Sequence, residues 1–419
     1  MKDIIRLSFV IYEDGNAVNG PIVNQQRLLY ALHKIGYRIQ VISLYHKSTP
    51  VLDRFKKAGI TTTKYPAGRF TCDTVLWILK ELEIFQPDIF IPDWIAPAAY
   101  AAKWLRETGV PTIGALRSDD SYFWALMDVF AGKKSGRWAL SSVFCVSRQL
   151  ENRLNQGLSN HTQSCFIPSG VPYPSSVQPK NPPVKMVYLG RIEIRQKQII
   201  ETTRAMCRAA REVEGTTGIL IGNGPDEESV QSLIKKEGCE NIIKLESAVP
   251  PQQLDRVLAN FNAVILLSDY EGTPGSLMDG MANGLAPVCI SCSGGINSLV
   301  KNGKTGLVVK DRKESFIQAI HKLHHESGLM QEISNNARSR ILEEFTLDHT
   351  INRWEDLCSN LLSQVTARKP LRIPKSVKLP KLHPNLFGFD YRPPSRRKEL
   401  LSKFRILLGA FRNTLIGRN

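Results

Sequence analysis

No run of 18 uninterrupted apolar residues occurs in this chain of 419 residues, so a helix crossing a bilayer is not expected. The eight cysteines are scattered from Cys72 to Cys358 without framework spacing, the pattern of reduced thiols rather than of a disulfide-stapled domain. Cys289 and Cys292 form a C-x-x-C pair at the end of an apolar run. No second pair completes a metal site, and a structural role is expected for both. His321, His324 and His325 gather on one segment with no facing ligand set, and they read as residues of a surface helix. The opening MKDIIRLSFVIYEDG enters a strand-like run directly and has no signal-peptide pattern, so a cytoplasmic protein is expected.

What is present is an ordinary globular composition, 42% hydrophobic and 22% charged. The length exceeds that at which a single core stops growing, which predicts two packed domains. IIRLSFVIY followed by RLLYALHKIGYRIQVISLY has the strand, helix, strand rhythm of a doubly wound α/β fold. Further strands are expected at 88–92, 111–116 and 142–147. Residues 172–183, PYPSSVQPKNPP, hold five prolines in twelve positions without apolar periodicity, and they read as an interdomain linker.

Residues 268–290, SDYEGTPGSLMDGMANGLAPVCI, carry the strongest functional signal. The apolar run AVILLS before them predicts a buried strand, Glu271 opens a Gly/Pro loop, and SLMDGMANG predicts a helix ending at Gly284. A helix N-terminus after such a loop presents free N–H groups to an anion such as a diphosphate. Asp279, after seven intervening residues, falls about two turns into the helix. An ionised carboxylate accepts two hydroxyl hydrogen bonds at once, so this pair suits a polyhydroxylated ligand.

This stretch resembles the E-x7-E signature of retaining GT-B glycosyltransferases, in particular the large family-four group that takes sugars from nucleotide diphosphates. Three further segments resemble the same family in the same order. They are MVYLGRIEIRQKQ (186–198), with Arg191 and Lys197 six apart, GILIGNGPDEE (218–228) and GGINSLVKNGKTGLVV (294–309). The resemblance implies two Rossmann-like domains facing across a cleft. The acceptor-side domain would span 1–171 and the nucleotide-sugar domain 184–345, followed by a return helix over 346–365 and a basic tail over 366–419. It assigns Arg191 and Lys197 to the departing diphosphate, Glu271 to sugar hydroxyls and Asp279 to the ribose. Asn223, Gly224 and Pro225 would border the nucleotide, and Thr273, Pro274, Gly275, Ser276 and Leu277 would form the loop and helix start around the donor. Gly20, in the loop EDGNAVNGPIVNQ, is the expected point of close approach to the phosphates. No cofactor or metal is implied, and no D-x-D pair suited to a diphosphate-bound cation occurs. The sequence departs from the family at three places. Asp279 stands for the usual Glu, Gln198 for a frequent Gly after the Lys, and GALRSDDSYFW (114–124) offers Asp119 or Asp120 but no His near the acceptor. These departures motivate an alternative of another class, a non-catalytic membrane-bound assembly subunit with a degenerate GT-B fold.

Charge is uneven. Residues 363–419 carry fourteen Lys and Arg against Asp390 and Glu399, a net of +12 out of +16 for the chain. Prolines exclude one regular helix over 370–394, whereas RRKELLSKFRILLGAFRNTLIGRN (396–419) predicts a basic amphipathic helix. Such a helix fits an anionic membrane surface; docking on the catalytic body and nucleic-acid binding are the other readings, and nucleic acid is not the expected partner. FWALMDVFAGKKSGRWAL (123–140) mixes aromatics with cations, which fits either a bilayer interface or core packing. The expected partners are therefore a nucleotide-diphosphate sugar, a lipid-linked or glycan acceptor and an anionic membrane surface. Because the motifs all precede Gln364, the catalytic body is expected to fold without the residues after it.

Overall fold

The computed structural model describes residues 4–12, 20–66, 68, 70–292, 295–388 and 390–392. The helix expected over 396–419 lies outside the described residues, as does most of the loop before Gly20. Two sheets, parallel throughout, organise the chain. The first holds β1 (Arg6–Ile11), β2 (Arg38–Ser43), β3 (Thr61–Lys64), β4 (Ile89–Asp93), β5 (Thr112–Leu116), β6 (Ser142–Cys145) and β7 (Gln163–Phe166) in the order β3-β2-β1-β4-β5-β6-β7. The second holds β8 (Lys185–Leu189), β9 (Thr217–Ile221), β10 (Ile243–Glu246), β11 (Ala263–Leu266), β12 (Ala286–Ile290) and β13 (Leu307–Val309) in the order β10-β9-β8-β11-β12-β13. Residues 172–183 between them form neither helix nor strand.

Helices cover both faces of each sheet, which is why strands such as FVI of β1 and AVIL of β11 read as continuous apolar runs. In the second sheet the side-chain alternation of period two divides the core. Met186, Tyr188, Ala263 and Ile265 face one layer, and Val187, Leu189, Val264 and Leu266 the other. In both sheets the chain winds outward from the first strand and then returns to its other side. The resulting switch points lie between β1 and β4 and between β8 and β11. Ligands of open α/β sheets bind outside the carboxyl ends of the strands at such points.

The helix Leu347–Ser363 returns to the first domain. The Thr346 hydroxyl accepts from the His349 N–H at its start, and the Thr350 hydroxyl donates to the Pro168 carbonyl at 2.9 Å. Trp354 is buried against Phe9 and Phe144, so the helix completes the core of the first sheet. Just before it, the Glu344 carboxylate accepts from Arg148 at 2.9 Å, Arg340 at 3.0 Å and Arg353 at 3.1 Å. Burial pushes this carboxyl up, but the three guanidiniums outweigh burial and hold it at about 2.

Residues 366–392 also return to the first domain, and this corrects the expectation that the body folds without the chain beyond Gln364. The Lys369 N–H donates to the Thr108 carbonyl at 2.9 Å, and the Thr71 N–H to the Tyr391 carbonyl at 2.7 Å. Leu371, Ile373, Val377, Leu379 and Leu382 pack on the first core, and Leu386 is fully buried. Asp390 is buried between Arg392 at 2.6 Å and the Tyr100 hydroxyl at 2.9 Å. Net charge concealed an apolar residue every few positions along this stretch. Of the two readings of 123–140, the structure favours core packing. Phe130 and Trp138 are buried edge-on against Tyr100, while Lys133, Lys134 and Arg137 are exposed.

Two measurements follow. The fully buried Leu386 contributes about 1.5–3 kcal/mol, and the partly buried Leu371, Leu379 and Leu382 add to it. Truncation after Gln364 is therefore expected to lower the melting temperature by more than about 4 °C, and truncation after Arg392 to leave it unchanged, in differential scanning fluorimetry. The Glu344 carboxyl lies below its ordinary value of 4.5, so its ion pairs stabilise the fold above that pH and are lost as pH falls toward about 2. Thermal melts from pH 6 to pH 2 should show Glu344→Gln less stable than the parent at pH 6, with the gap closing as the pH drops.

Candidate active site

The carboxyl ends of the strands at the two switch points face one another, and the loops that leave them enclose a cleft of about 340 Å³. From the second domain come Gly190 and Arg191 after β8, Gln196 and Lys197 further along the same loop, and Tyr270 to Ser276 after β11. From the first come Gly20 and Asn24 of the helix Gly20–Lys34, Trp94 after β4, and Arg117, Ser118 and Asp120 after β5. The loops also touch. The Thr273 hydroxyl donates to the Val146 carbonyl, and a Cβ on Gly272 would stand 1.9 Å from the Arg117 carbonyl oxygen.

Arg191, Lys197 and Glu271 are brought together, although 74 residues separate Lys197 from Glu271. The Lys197 ammonium donates to the Glu271 carboxylate at 2.5 Å, and both side chains are nearly buried. Arg191 donates to Gln196 at 2.8 Å and to Glu193 at 2.8 Å, and Gln196 donates in turn to the Tyr270 carbonyl at 2.8 Å. These bonds tie the loop after β8 to the loop after β11. The turn between Lys197 and its helix is made by Gln198 with φ 49° and ψ 43°. Glycine adopts that left-handed conformation most readily, which gives a physical reason for the glycine the resemblance leads one to expect there. In this chain the Gln198 amide instead donates to Asp269 at 2.5 Å.

The helix Gly275–Ala282 begins at the cleft behind Pro274 with no side-chain cap, so its first N–H groups remain available to an anion. Gly275 and Ser276 line both the cleft and a smaller adjoining pocket of about 110 Å³ bounded by Gly222, Ala248, Val249, Pro251 and Leu254. Asn24 abuts Gly275 from the first domain. Asp279 opens into the smaller pocket and is gripped across the domain boundary by Arg27, at 3.0 and 3.3 Å. Burial raises the Asp279 carboxyl above its ordinary value, and Arg27 acts in the opposite direction.

Gly20, Thr273, Pro274, Gly275, Ser276 and Asp279 thus line the two cavities together with Arg191, Lys197 and Glu271. The remaining expected residues do not. Leu277 is fully buried in the core. In the 222–225 turn only Gly222 reaches the pocket. The Asn223 side chain accepts from the Ala248 N–H at 3.0 Å and so supports the pocket wall, and Gly224 packs where a Cβ would lie 2.2 Å from the Ile192 carbonyl. Asp119 is bound by Arg153 at 2.5 Å and by the Trp124 indole at 2.6 Å, outside the cleft lining. Asp120 lines the cleft, but it caps the helix Ser121–Phe130 through the N–H groups of Tyr122 and Phe123.

Three residues were not anticipated. Arg117 forms a buried fork with Asp93 at 2.9 and 2.8 Å, and Asp93 also accepts from Gln25 at 2.7 Å. Asp93 ends β4 with φ 53°, a strained position for a residue with a side chain, which these three bonds hold in place. Neither this network nor the reach of Arg27 to Asp279 has a sequence signal, because the partners are non-local. Among the described residues no group of three His, Cys, Asp or Glu is arranged to hold a metal ion. Cys289 and Cys292 are free thiols pushed up to about 12 by burial.

Comparison with known proteins gives a concordant result. The family model of glycosyl transferases group 1 matches residues 174–340. A putative colanic acid biosynthesis glycosyltransferase of Salmonella typhimurium is 25% identical over 306 residues, covering 64% of this chain and 69% of that one. The D-inositol 3-phosphate glycosyltransferase of Rhodococcus jostii is 27% identical over 172 residues, covering 39% of this chain and 38% of that one. Among solved structures, the pneumococcal O-GlcNAc transferase GtfA in complex with UDP and GlcNAc superposes with a TM-score of 0.69 at 9% identity, covering 86% of this chain and 99% of that one. HepE from Anabaena in complex with UDP and glucose superposes with a TM-score of 0.67 at 14% identity, covering 85% and 100%.

Proposed function

We propose that the chain is a retaining hexosyltransferase, a reading supported by the match of residues 174–340 to the family of glycosyl transferases group 1 and by the GT-B architecture of its two parallel sheets. It moves a sugar from a nucleotide-diphosphate donor to a lipid-linked or glycan acceptor in cell-surface polysaccharide or glycolipid synthesis. The observation that carries this reading is the meeting of Arg191, Lys197 and Glu271 with the uncapped start of the helix Gly275–Ala282 in one cleft. Transfer breaks the bond from the anomeric carbon to the diphosphate and forms one to the acceptor oxygen, whose proton leaves with the diphosphate. Negative charge grows on the diphosphate during this step. Arg191, Lys197 and the helix N-terminus stabilise it there, in a cleft where water screens little. Glu271 accepts the sugar hydroxyls and Asp279 those of the ribose. The colanic acid relative supports a surface polysaccharide as the destination, and the UDP complexes of the structural relatives support UDP as the first donor nucleotide to test.

A thermal-shift screen of nucleoside diphosphates tests the donor class, since a ligand that binds only the folded chain raises its apparent stability. Arg191→Ala is the cleaner probe of the diphosphate contact, because Lys197→Ala would also leave Glu271 a buried, unpaired acid. With UDP-sugar as the donor, Arg191→Ala is expected to lose about 2–4 kcal/mol of transition-state stabilisation, read from UDP release. Glu271→Gln should slow release to a similar extent while calorimetric UDP affinity stays near that of the parent. Equal losses in UDP affinity and turnover would show that Glu271 does not act on the sugar.

The concentration of charge beyond residue 363 supports a second element of the reading, attachment to an anionic membrane on its cytoplasmic side. Among the described residues no helix is long and apolar enough to cross a membrane. Truncation after Arg392 removes 396–419 and keeps the packed 366–392 stretch. This variant should stay in the supernatant with anionic vesicles at low salt, under conditions where the full chain sediments, and high salt should release the full chain.

A further inference from the structure

We propose that Arg27 is a positioning residue of the donor site. Reaching across from the first domain, it supplies the cation against which Asp279 meets the donor ribose, so that nucleotide recognition requires both domains. The proposal rests on the reading of Asp279 as the ribose ligand and adds a residue that the sequence signature does not contain.

The geometry is that of a fork. Arg27 lies on the helix Gly20–Lys34 and places its two terminal nitrogens on the two oxygens of Asp279, at 3.0 and 3.3 Å, with both side chains about nine-tenths buried. Both residues line the smaller pocket, beside Gly275 and Ser276 at the anion-binding helix start. Because Asp is one methylene shorter than Glu, its carboxylate stays deep on the helix, where water cannot solvate it well. A carboxylate there remains an anion only if a cation faces it. The other groups that face this helix cannot do so. Asp255, on the helix Leu254–Leu258, is itself an acid and accepts from Asn283 at 3.0 Å. Arg338 is spent on the Ala282 and Pro174 carbonyls at the far end. Cys289 of β12 is a buried thiol. The strand β11 behind the helix is AVIL and carries no charge.

A carboxylate has lone pairs for more than two donors, so the ribose can share Asp279 with Arg27. The pocket of about 110 Å³ is continuous with the cleft through Gly20, Asn24, Gly190, Gly275 and Ser276, so a nucleotide that spans both lies against residues of both domains.

The test uses the full chain and UDP as the probe, titrated by calorimetry between pH 7 and pH 9. The parent is expected to bind with little pH dependence, and Asp279→Asn to bind more weakly at every pH. In Arg27→Met the buried carboxyl loses its counter-ion. Burial and Asp255 then raise that carboxyl with nothing to oppose them, so UDP affinity should fall about tenfold or more at pH 7 and recover as the pH rises. Arg27→Lys restores the charge and should restore both affinity and the flat profile. The double variant Arg27→Met/Asp279→Asn should match Asp279→Asn alone, since Arg27 acts through that carboxylate. Because the double variant carries no unpaired charge, it keeps the test open if Arg27→Met alone does not fold. If Asp279→Asn binds UDP as the parent does, the ribose reading fails and the proposal with it. If Asp279→Asn weakens binding but Arg27→Met does not, or loses the same factor at every pH, the ribose reading stands and the role of Arg27 is overturned. A further loss in the double variant overturns it as well.

Discussion

A ligand held between two parallel sheets requires that their carboxyl edges face each other, and a small set of polar contacts maintains this setting. Arg27 with Asp279, Thr273 with the Val146 carbonyl, and Gly272 against the Arg117 carbonyl all join the domains at the cleft itself. The last of these is steric, since any side chain at Gly272 would push the loops apart. Beyond these contacts, Glu344 and its three guanidiniums bring together the helix Arg148–Asn155 of the first domain, the helix Leu329–Glu344 of the second and the returning helix Leu347–Ser363.

The acids of the cleft are held by cations or by backbone N–H groups, and this follows from the cost of burying charge. Glu271 has Lys197, Asp279 has Arg27, Asp93 has Arg117, and Asp120 has two N–H groups of its helix. A buried ion pair is weak evidence for stability, because desolvation cancels much of the attraction. Its value here is positional. Each pair fixes the direction of a group that a sugar, a ribose or a diphosphate can meet, before any ligand arrives. The same pairing means that a substrate's hydroxyls or phosphates enter by sharing or exchanging an existing partner.

The chain after the second domain belongs physically to the first. The helix Leu347–Ser363 contributes Trp354, Leu357 and Leu361 to the first core, and the stretch up to Arg392 adds Leu386 and the buried Asp390. The two domains are therefore tied twice, through residues 172–183 and through this return. The returning stretch is basic because its outward positions carry Lys375, Lys378 and Lys381, while Val377 and Leu382 between them pack inward.

Local signals determined much of this. Apolar runs of five or six residues, followed by Gly/Pro loops and amphipathic helices, can bury their faces only as parallel strands under helices, so the doubly wound class was legible from β1, β2, β8, β11 and β12 alone. The motif spacing likewise brought out Arg191, Lys197, Glu271, Asp279 and the helix start at Gly275, because they lie in the loops that leave β8 and β11 or in the first turns of the helix that follows β11. Tertiary structure decided what no local pattern encodes. Two adjacent acids, Asp119 and Asp120, went to different tasks, one to Arg153 and the other to a helix cap. The 366–392 stretch packed as part of the body, since a count of charges does not say which side chains face inward. The partners of Asp93 and Asp279 lie 24 and 252 residues away in the chain, so only the meeting of the folded domains could select Arg117 and Arg27. Hydrophobic periodicity is a property of neighbours along the chain and can be read there, whereas the compensation of a buried charge is a property of neighbours in space.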